Sequence, residues 1–269
     1  MKLPIYQIDA FAGAVFAGNP AAVCPLERWL PEATMQSIAA ENNLAETAFF
    51  VPRADGASPG SGGGRDYDLR WFTPEAEVDL CGHATLASGH VVFTTLEPGR
   101  ESVTFHSKSG PLTVRREGDL LAMDFPSRPA VRSDPPPGLA EALGGSPLEV
   151  WKARDLMAVY DNEHAVRGLS PSFDRIRALD LFGVIATAPG REVDFVSRFF
   201  APLMGIPEDP VTGSAHCTLV PYWAKRLGKS RLKARQVSMR GGDLLCEDRG
   251  ERVSIAGRAI RYLEGTIEV

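Results

Sequence analysis

Arg70-Trp71-Phe72-Thr73-Pro74, then Cys81-Gly82-His83-Ala84-Thr85-Leu86 opening an apolar run to Phe93, decides how this chain is read, because the arrangement occurs twice. The second copy is Arg198-Phe199-Phe200-Ala201-Pro202, then Thr212-Gly213-Ser214-Ala215-His216-Cys217 opening an apolar run to Trp223. Gly82 and Gly213 are 131 positions apart. A strand and a glycine turn follow each run, at Ser107-Lys108-Ser109-Gly110-Pro111-Leu112 and at Ser238-Met239-Arg240-Gly241-Gly242-Asp243-Leu244. A repeat of so long a period implies two half-domains rather than a solenoid. Each copy sets a glycine and a small or polar residue where a helix opens, and the free N–H groups and dipole there favour an anion. Two such helix ends facing each other are expected to cradle one small anionic substrate.

The rest of the composition narrows the class. A chain of 269 residues, 44% hydrophobic, has enough apolar surface for one large core or two ordinary ones, and the repeat favours two. The boundaries expected are 1–115 plus 258–269 for the first half and 116–257 for the second. A net charge of −5 leaves no basic stripe for phosphates, which argues against nucleic acid as a partner. Apolar stretches fall well short of the roughly 20 residues a bilayer span needs, so no membrane partner is expected. The N-terminus, Met1-Lys2-Leu3-Pro4-Ile5-Tyr6-Gln7-Ile8-Asp9, alternates like a strand and lacks the apolar core of a signal peptide. Cys24, Cys81, Cys217 and Cys246 suit a reducing compartment, and the expected location is cytoplasmic. No His, Cys or carboxylate spacing reads as a metal site, and no phosphate loop or G-x-G-x-x-G is present, so neither metal nor cofactor is expected.

Strands are expected at 3–10, 14–24, 44–51, 67–73, about 101–107 and 111–116, with a helix from Pro31 to Asn42 and another from Gly82 to Leu96. A helix apolar on nearly every face is expected inside a sheet rather than laid on it. In the second half, strands near 120–125, 149–152, 156–160, 182–187 and 193–199 precede the second buried helix, Gly213 to Leu227. Strands at 235–246, 251–256 and 259–267 complete it, with a short helix at Leu139–Leu143. The glycine-serine tract at 56–64 reads as a loop. The fold class is α+β: two pseudo-symmetric halves, each a sheet or barrel rolled around one central helix, with the active site in the cleft between them.

Several residues carry two readings. Glu46, among Leu44, Ala45, Ala48, Phe49 and Phe50, suits either the solvated side of a half-buried strand or a cleft-facing acid. Cys81 stands where a helix N-terminus lowers a thiol pKa, so it is either a reactive thiol or a small apolar filler. Its mirror position is Thr212, a hydroxyl too weakly acidic to be a second base, which counts against a two-thiol racemase. His83, at the first turn of its helix, is either a structural hydrogen-bonding residue or a donor to a substrate carboxylate or carbonyl. Asp209 in Glu208-Asp209-Pro210 is either a turn carboxylate or a substrate-orienting one, and Asn19 either makes the Gly18-Asn19-Pro20 turn or supports the site. The backbone N–H groups of Gly82, His83, Gly213 and Ser214 suit a substrate carboxylate.

Five stretches in order resemble the phenazine-biosynthesis PhzF-like family, within the diaminopimelate-epimerase-like fold. They are Gly18-Asn19-Pro20-Ala21-Ala22-Val23, Asn43-Leu44-Ala45-Glu46-Thr47-Ala48-Phe49, Arg70-Trp71-Phe72-Thr73-Pro74, Cys81-Gly82-His83-Ala84-Thr85 and Glu208-Asp209-Pro210-Val211-Thr212-Gly213-Ser214-Ala215. The resemblance covers essentially the whole chain. It implies a cofactor-independent isomerase, usually a homodimer, in which one glutamate moves a proton between two carbons of a small carboxylate-bearing substrate. It aligns Glu46 with that catalytic glutamate, and makes Asp209 a substrate-orienting partner of His83. Two rival functions remain at this point: a racemase or epimerase dependent on Cys81, and a catalytically idle module of the same fold that binds protein.

Overall fold

In the computed structural model, which describes residues 1–53 and 64–269, the alternating N-terminus forms the first strand, β1 (Lys2–Ala10). The second strand starts later than the alternation implies, at β2 (Asn19–Pro25). Residues 11–18 are a loop whose backbone turns through positive φ at Phe11, Phe16 and Gly18. At Gly18 a Cβ would stand 2.1 Å from the carbonyl oxygen of Ala10, so the chain can pass that point only as glycine. The glycine-serine tract lies almost wholly outside the described residues.

The chain divides into two compact units, Met1–Asp124 with Ala256–Val269, and Phe125–Ile255. In the first unit Pro31 opens α1 (Glu32–Asn42), and Asn43, in the left-handed conformation, ends it. Then follow β3 (Glu46–Pro52), β4 (Tyr67–Phe72), β5 (Glu77–Val78), α2 (Gly82–Val91), β6 (Ser102–Ser107), β7 (Gly110–Glu117) and β8 (Leu120–Pro126). β2 runs antiparallel to β1 and parallel to β3, β4 is antiparallel to β3 and parallel to β6, and β7 is antiparallel to β6. The last strand of the chain, Ala259–Glu268, pairs antiparallel with β1.

That sheet has two apolar faces. Leu3, Ile5, Ala22, Cys24, Phe49 and Val51 pack with Met35 and Ile38 of α1. The opposite face meets α2, which touches β1, β2, β3 and β7. Every residue of α2 except Gly82 and His90 is buried, as its all-round apolar sequence requires. The helix is shorter than the pattern implied: beyond Val91 the next five residues, Val92–Leu96, wind as a π-turn. Gly89 permits the tight seat, since a Cβ there would stand 2.8 Å from Cγ1 of Val114 on β7.

The second unit repeats the plan. Its elements are β9 (Val131–Arg132), α3 (Leu139–Leu143), β10 (Glu149–Lys152), β11 (Leu156–Val159), α4 (Glu163–Arg167), α5 (Phe173–Ala178), β12 (Val184–Pro189), β13 (Phe195–Ala201), β14 (Ile206–Asp209), α6 (Gly213–Leu227), β15 (Arg231–Gln236) and β16 (Gly242–Asp248). β12 is parallel to β11, β13 is antiparallel to β12 and parallel to β15, and β16 is antiparallel to β15. This is the same order of parallel and antiparallel pairings as from β2 to β7. The expected single strand at 235–246 is instead the end of β15, a turn and β16, because Gly241 adopts φ +65° and its N–H is held by the Ser238 hydroxyl at 3.1 Å. Val184, Ala186, Val196 and Phe200 pack under α3, α4 and α5, while Phe195 stacks on Trp223 of α6 from the other face.

The repeated arginines do the same work in each unit. Arg70 clasps Glu77 of β5 with two hydrogen bonds of 2.8 and 2.7 Å and lies over Phe72. Arg198 clasps Glu208 of β14 with bonds of 2.7 and 2.8 Å and lies over Phe200. Such fork-to-fork pairs are geometrically rigid, so each fixes the short strand that leads into a buried helix. The arginine part of the repeat is therefore a structural brace for the helix entrance. The fold is α+β, each unit a sheet wrapped on one buried helix.

Candidate active site

The alternation of β3 decides where Glu46 points. Phe49 and Val51 face α1, and Thr47 accepts a hydrogen bond from Asn42 at 3.1 Å, so Glu46, Ala48 and Phe50 lie on the α2 side. Glu46 is 7% exposed, which rules out the solvated-strand reading. Its Oε2 lies 3.1 Å from Nε2 of His83, in the first turn of α2, and Nδ1 of His83 lies 3.5 Å from Sγ of Cys81, the N-cap residue. Glu46, Cys81 and His83 form one buried cluster, the ligand atoms within 4.8 Å of one another. The Glu46–His83 approach is an ion-pair contact rather than an aligned hydrogen bond, and neither of those two atoms has an aligned partner among the described residues. Two buried polar atoms left in that condition remain able to bond an incoming group.

Burial works against a charged imidazole at His83, but the sulfur of Cys81 and the carboxylate of Glu46 outweigh it and hold the histidine pKa well above its usual value. Burial first, and the nearby Glu46 second, push the Cys81 thiol up to about 11. The sulfur is therefore held as a neutral thiol around pH 7. A helix N-terminus would lower a thiol pKa, yet here desolvation and the carboxylate prevail. Asn19 is fully buried at the head of β2, one residue after the tight Gly18 turn.

In the second unit Thr212 is the N-cap residue of α6, as Cys81 is of α2. Its hydroxyl donates to Oδ2 of Asp209 at 2.5 Å, and its backbone N–H donates to Oε1 of Gln236 at 2.9 Å. Gly213 begins the helix, and a Cβ there would meet no atom within 4 Å. Ser214 follows, its hydroxyl accepting a 3.0 Å hydrogen bond from Arg154, whose guanidinium also pairs with the buried Asp155 and lies 4.4 Å from the ring of Phe182. His216, one turn into the helix, has a ring nitrogen 2.8 Å from the Thr212 carbonyl and a pKa lowered by burial to about 4. It is a neutral structural histidine.

The first unit thus brings Glu46, Cys81 and His83 together, and the second brings Asp209, Thr212, Gly213 and Ser214 together. Gln236 and Arg154 are the polar residues that the sequence reading missed. Gln236 lies 24 positions from Thr212 and Arg154 lies 60 from Ser214, on elements with no motif of their own, so no local pattern marks them.

The phenazine biosynthesis-like protein family model matches residues 8–265. An uncharacterized isomerase of Pseudomonas aeruginosa is 52% identical over the full length of both chains, and a second from the same organism is 48% identical over the same coverage. A crystal structure of a phenazine biosynthesis protein of the PhzF family from Enterococcus faecalis superposes with a TM-score of 0.93 at 49% identity, covering all of both chains. No helix among the described residues is long and apolar enough to cross a membrane. Shared motifs, shared fold and full-length identity lead to one statement: this chain belongs to the phenazine biosynthesis-like, PhzF family.

Proposed function

We propose that the protein is a cofactor-independent isomerase that moves a proton between two carbons of a small carboxylate-bearing substrate, cyclic or derived from an amino acid, with Glu46 as the single acid/base. The observation that carries this reading is the pairing of a 7%-exposed Glu46 with His83 at a distance of 3.1 Å, both buried beside the opening of α2. A buried carboxylate beside a single imidazole is placed to take a proton from carbon. One carboxylate can take a proton at one carbon and return it at another on the same face, so no second base is required.

Asp209 orients a polar group of the substrate, and the helix-end N–H groups of Gly82, Gly213 and Ser214, with Asn19 in support, receive its acidic group. The open space beside Gly213 supports that role, since packing alone does not demand glycine there. The rival racemase loses support on two counts. The Cys81 thiol is pushed up to about 11, and the mirrored Thr212 has its proton committed to Asp209. An idle binding module gives no reason for a buried carboxyl group and imidazole to lack aligned partners among the described residues. The reading includes a homodimer in the cytoplasm, supported by family membership and by four buried, unpaired cysteines.

The test runs candidate cyclic and amino-acid-derived anions in D₂O and follows deuterium entry at carbon. Glu46→Gln keeps the shape and removes the base, so it abolishes exchange while sparing binding. Equal incorporation by wild type and variant would remove Glu46 from the mechanism.

A further inference from the structure

We propose that Gln236 is a positioning residue that sets the direction of the Asp209 carboxylate through the Thr212 hydroxyl. This rests on the reading of Asp209 as the substrate-orienting acid. Gln236 ends β15 and is fully buried, and each polar atom of its amide is engaged by the turn that enters α6. Oε1 accepts from the backbone N–H of Thr212 at 2.9 Å, and Nε2 donates to the backbone carbonyl of Asp209 at 2.7 Å. A backbone N–H only donates and a carbonyl only accepts, so these two contacts independently fix which end of the amide is oxygen.

The rest follows from that orientation. Nε2 stands 3.2 Å from Oγ1 of Thr212 and has only protons to give, so the hydroxyl receives there. Thr212 has one hydroxyl proton, and the remaining short contact, 2.5 Å to Oδ2 of Asp209, takes it. The result is a chain of one sense, from amide N–H to hydroxyl to carboxylate, in which each bond strengthens the next and the carboxylate end is charge-assisted. Ser238, two residues past Gln236, ties the same turn by donating to the carbonyl of Pro210 at 2.8 Å.

The repeat shows that this wiring is not a general requirement of the helix entrance. With Arg198 matched to Arg70, Phe195 pairs with Ala234 as Tyr67 pairs with Phe105, so the counterpart of Gln236 is Ser107, whose hydroxyl donates to the carbonyl of Gly110 at 2.9 Å, and the counterpart of Thr212 at the N-cap is the thiol of Cys81. The first unit builds an equivalent N-cap with no amide clamp, so the polar chain belongs to what Asp209 does rather than to holding a helix. It also fixes the role of Thr212, whose proton is spent on orienting a carboxylate.

The experiment follows the side-chain carboxyl carbon of Asp209 by NMR in ¹³C-aspartate-labelled full-length protein, assigned with Asp209→Asn, alongside the unfolding midpoint. Gln236→Glu keeps the shape and the acceptor for the Thr212 N–H but removes the donor, and Thr212→Val removes the hydroxyl. Both are expected to displace the Asp209 resonance, and Thr212→Ser to restore it to the wild-type position. A resonance unmoved in Gln236→Glu, with only the unfolding midpoint lowered, would reduce Gln236 to a structural cap and overturn the proposal. Where Gln236→Glu does not fold, the comparison of Thr212→Val with Thr212→Ser carries the test, and equal Asp209 positions in the two would overturn it as well. These readouts need no substrate, so they stand apart from the deuterium experiment on Glu46.

Discussion

Nε2 of His83 stands 3.1 Å from Oε2 of Glu46, with both residues buried and the histidine backed on its other ring nitrogen by the thiol of Cys81. The contact joins the second residue of a buried helix to the first residue of the strand that passes its opening. It couples the protonation of His83 to the groups beside it.

That dependence predicts a pH effect on stability with a definite sign. A histidine whose folded pKa is raised contributes stability that is fully present below its unfolded value of about 6.5 and is lost as pH rises through the folded value. Wild type is therefore expected to lose unfolding free energy as pH rises above about 6.5. In Glu46→Gln the carboxylate is gone, burial dominates His83, and that alkaline loss should be smaller. Urea titrations of both proteins across the range measure it, and parallel curves would show that Glu46 does not charge His83.

Cys81 is expected to behave as an inert neutral thiol. With its pKa pushed up to about 11, the folded protein should resist alkylation by iodoacetamide at neutral pH and react only on unfolding. Cys81→Ser should keep most of the turnover of any substrate found. A fall of about 10²–10⁴-fold, the scale of acid/base catalysis, would instead restore the thiol racemase and demote Glu46.

Gly213 and Gly89 separate a glycine kept for a ligand from one kept for packing. A Cβ at Gly213 touches nothing, so Gly213→Ala should leave thermal stability unchanged or slightly raised, since alanine favours helix. Binding of the substrate carboxylate should weaken, as read by calorimetry with whichever anion exchanges deuterium. At Gly89 the same substitution drives a methyl group against Val114, and overpacking of this kind costs typically about 1–3 kcal/mol. Val114→Ala should recover part of the loss in the double variant, and stability equal to wild type for Gly89→Ala alone would contradict the close seat of α2 on β7.

His216 predicts the acid limb. Its folded pKa of about 4 lies below the ordinary 6.5, so its contribution is present above 6.5 and is lost as pH falls towards 4. A displacement of that size corresponds to roughly 3 kcal/mol. Between those pH values wild type should lose about that much more unfolding free energy than His216→Gln, which has nothing to titrate at that position. Equal slopes for the two proteins would mean that His216 takes up its proton without unfolding.

The candidate site was legible in proportion to how local its signals are. The two helix openings announced themselves as glycine next to a small or polar residue before an apolar run, and both proved to be buried helices with Cys81 and Thr212 at equivalent caps. Glu46 remained ambiguous on pattern alone because a strand has two faces and the sequence of β3 is apolar on both. The repeated arginines were visible as a motif, but their partners Glu77 and Glu208 were not, since a bidentate pair across a short antiparallel strand leaves no periodic trace. The early start assigned to β2 failed for a related reason: alternation in Ala14-Val15-Phe16 looks extended, while positive φ at Phe16 and Gly18 turns the chain out of the sheet.

What the sequence determined by itself is the duplication, the α+β class and the two buried helices, because each is written in repeated or periodic residue types that any fold must honour, while the family followed from the resemblance of five ordered motifs. Tertiary structure decided the chemistry. Only packing of α2 against β3 makes a buried pair of Glu46 and His83, only desolvation lifts the Cys81 thiol out of use, and only the arrival of β15 beside the α6 entrance lets Gln236 wire Thr212 to Asp209. Charge state, burial and hydrogen-bond direction depend on neighbours brought from distant positions, and no spacing along the chain encodes them.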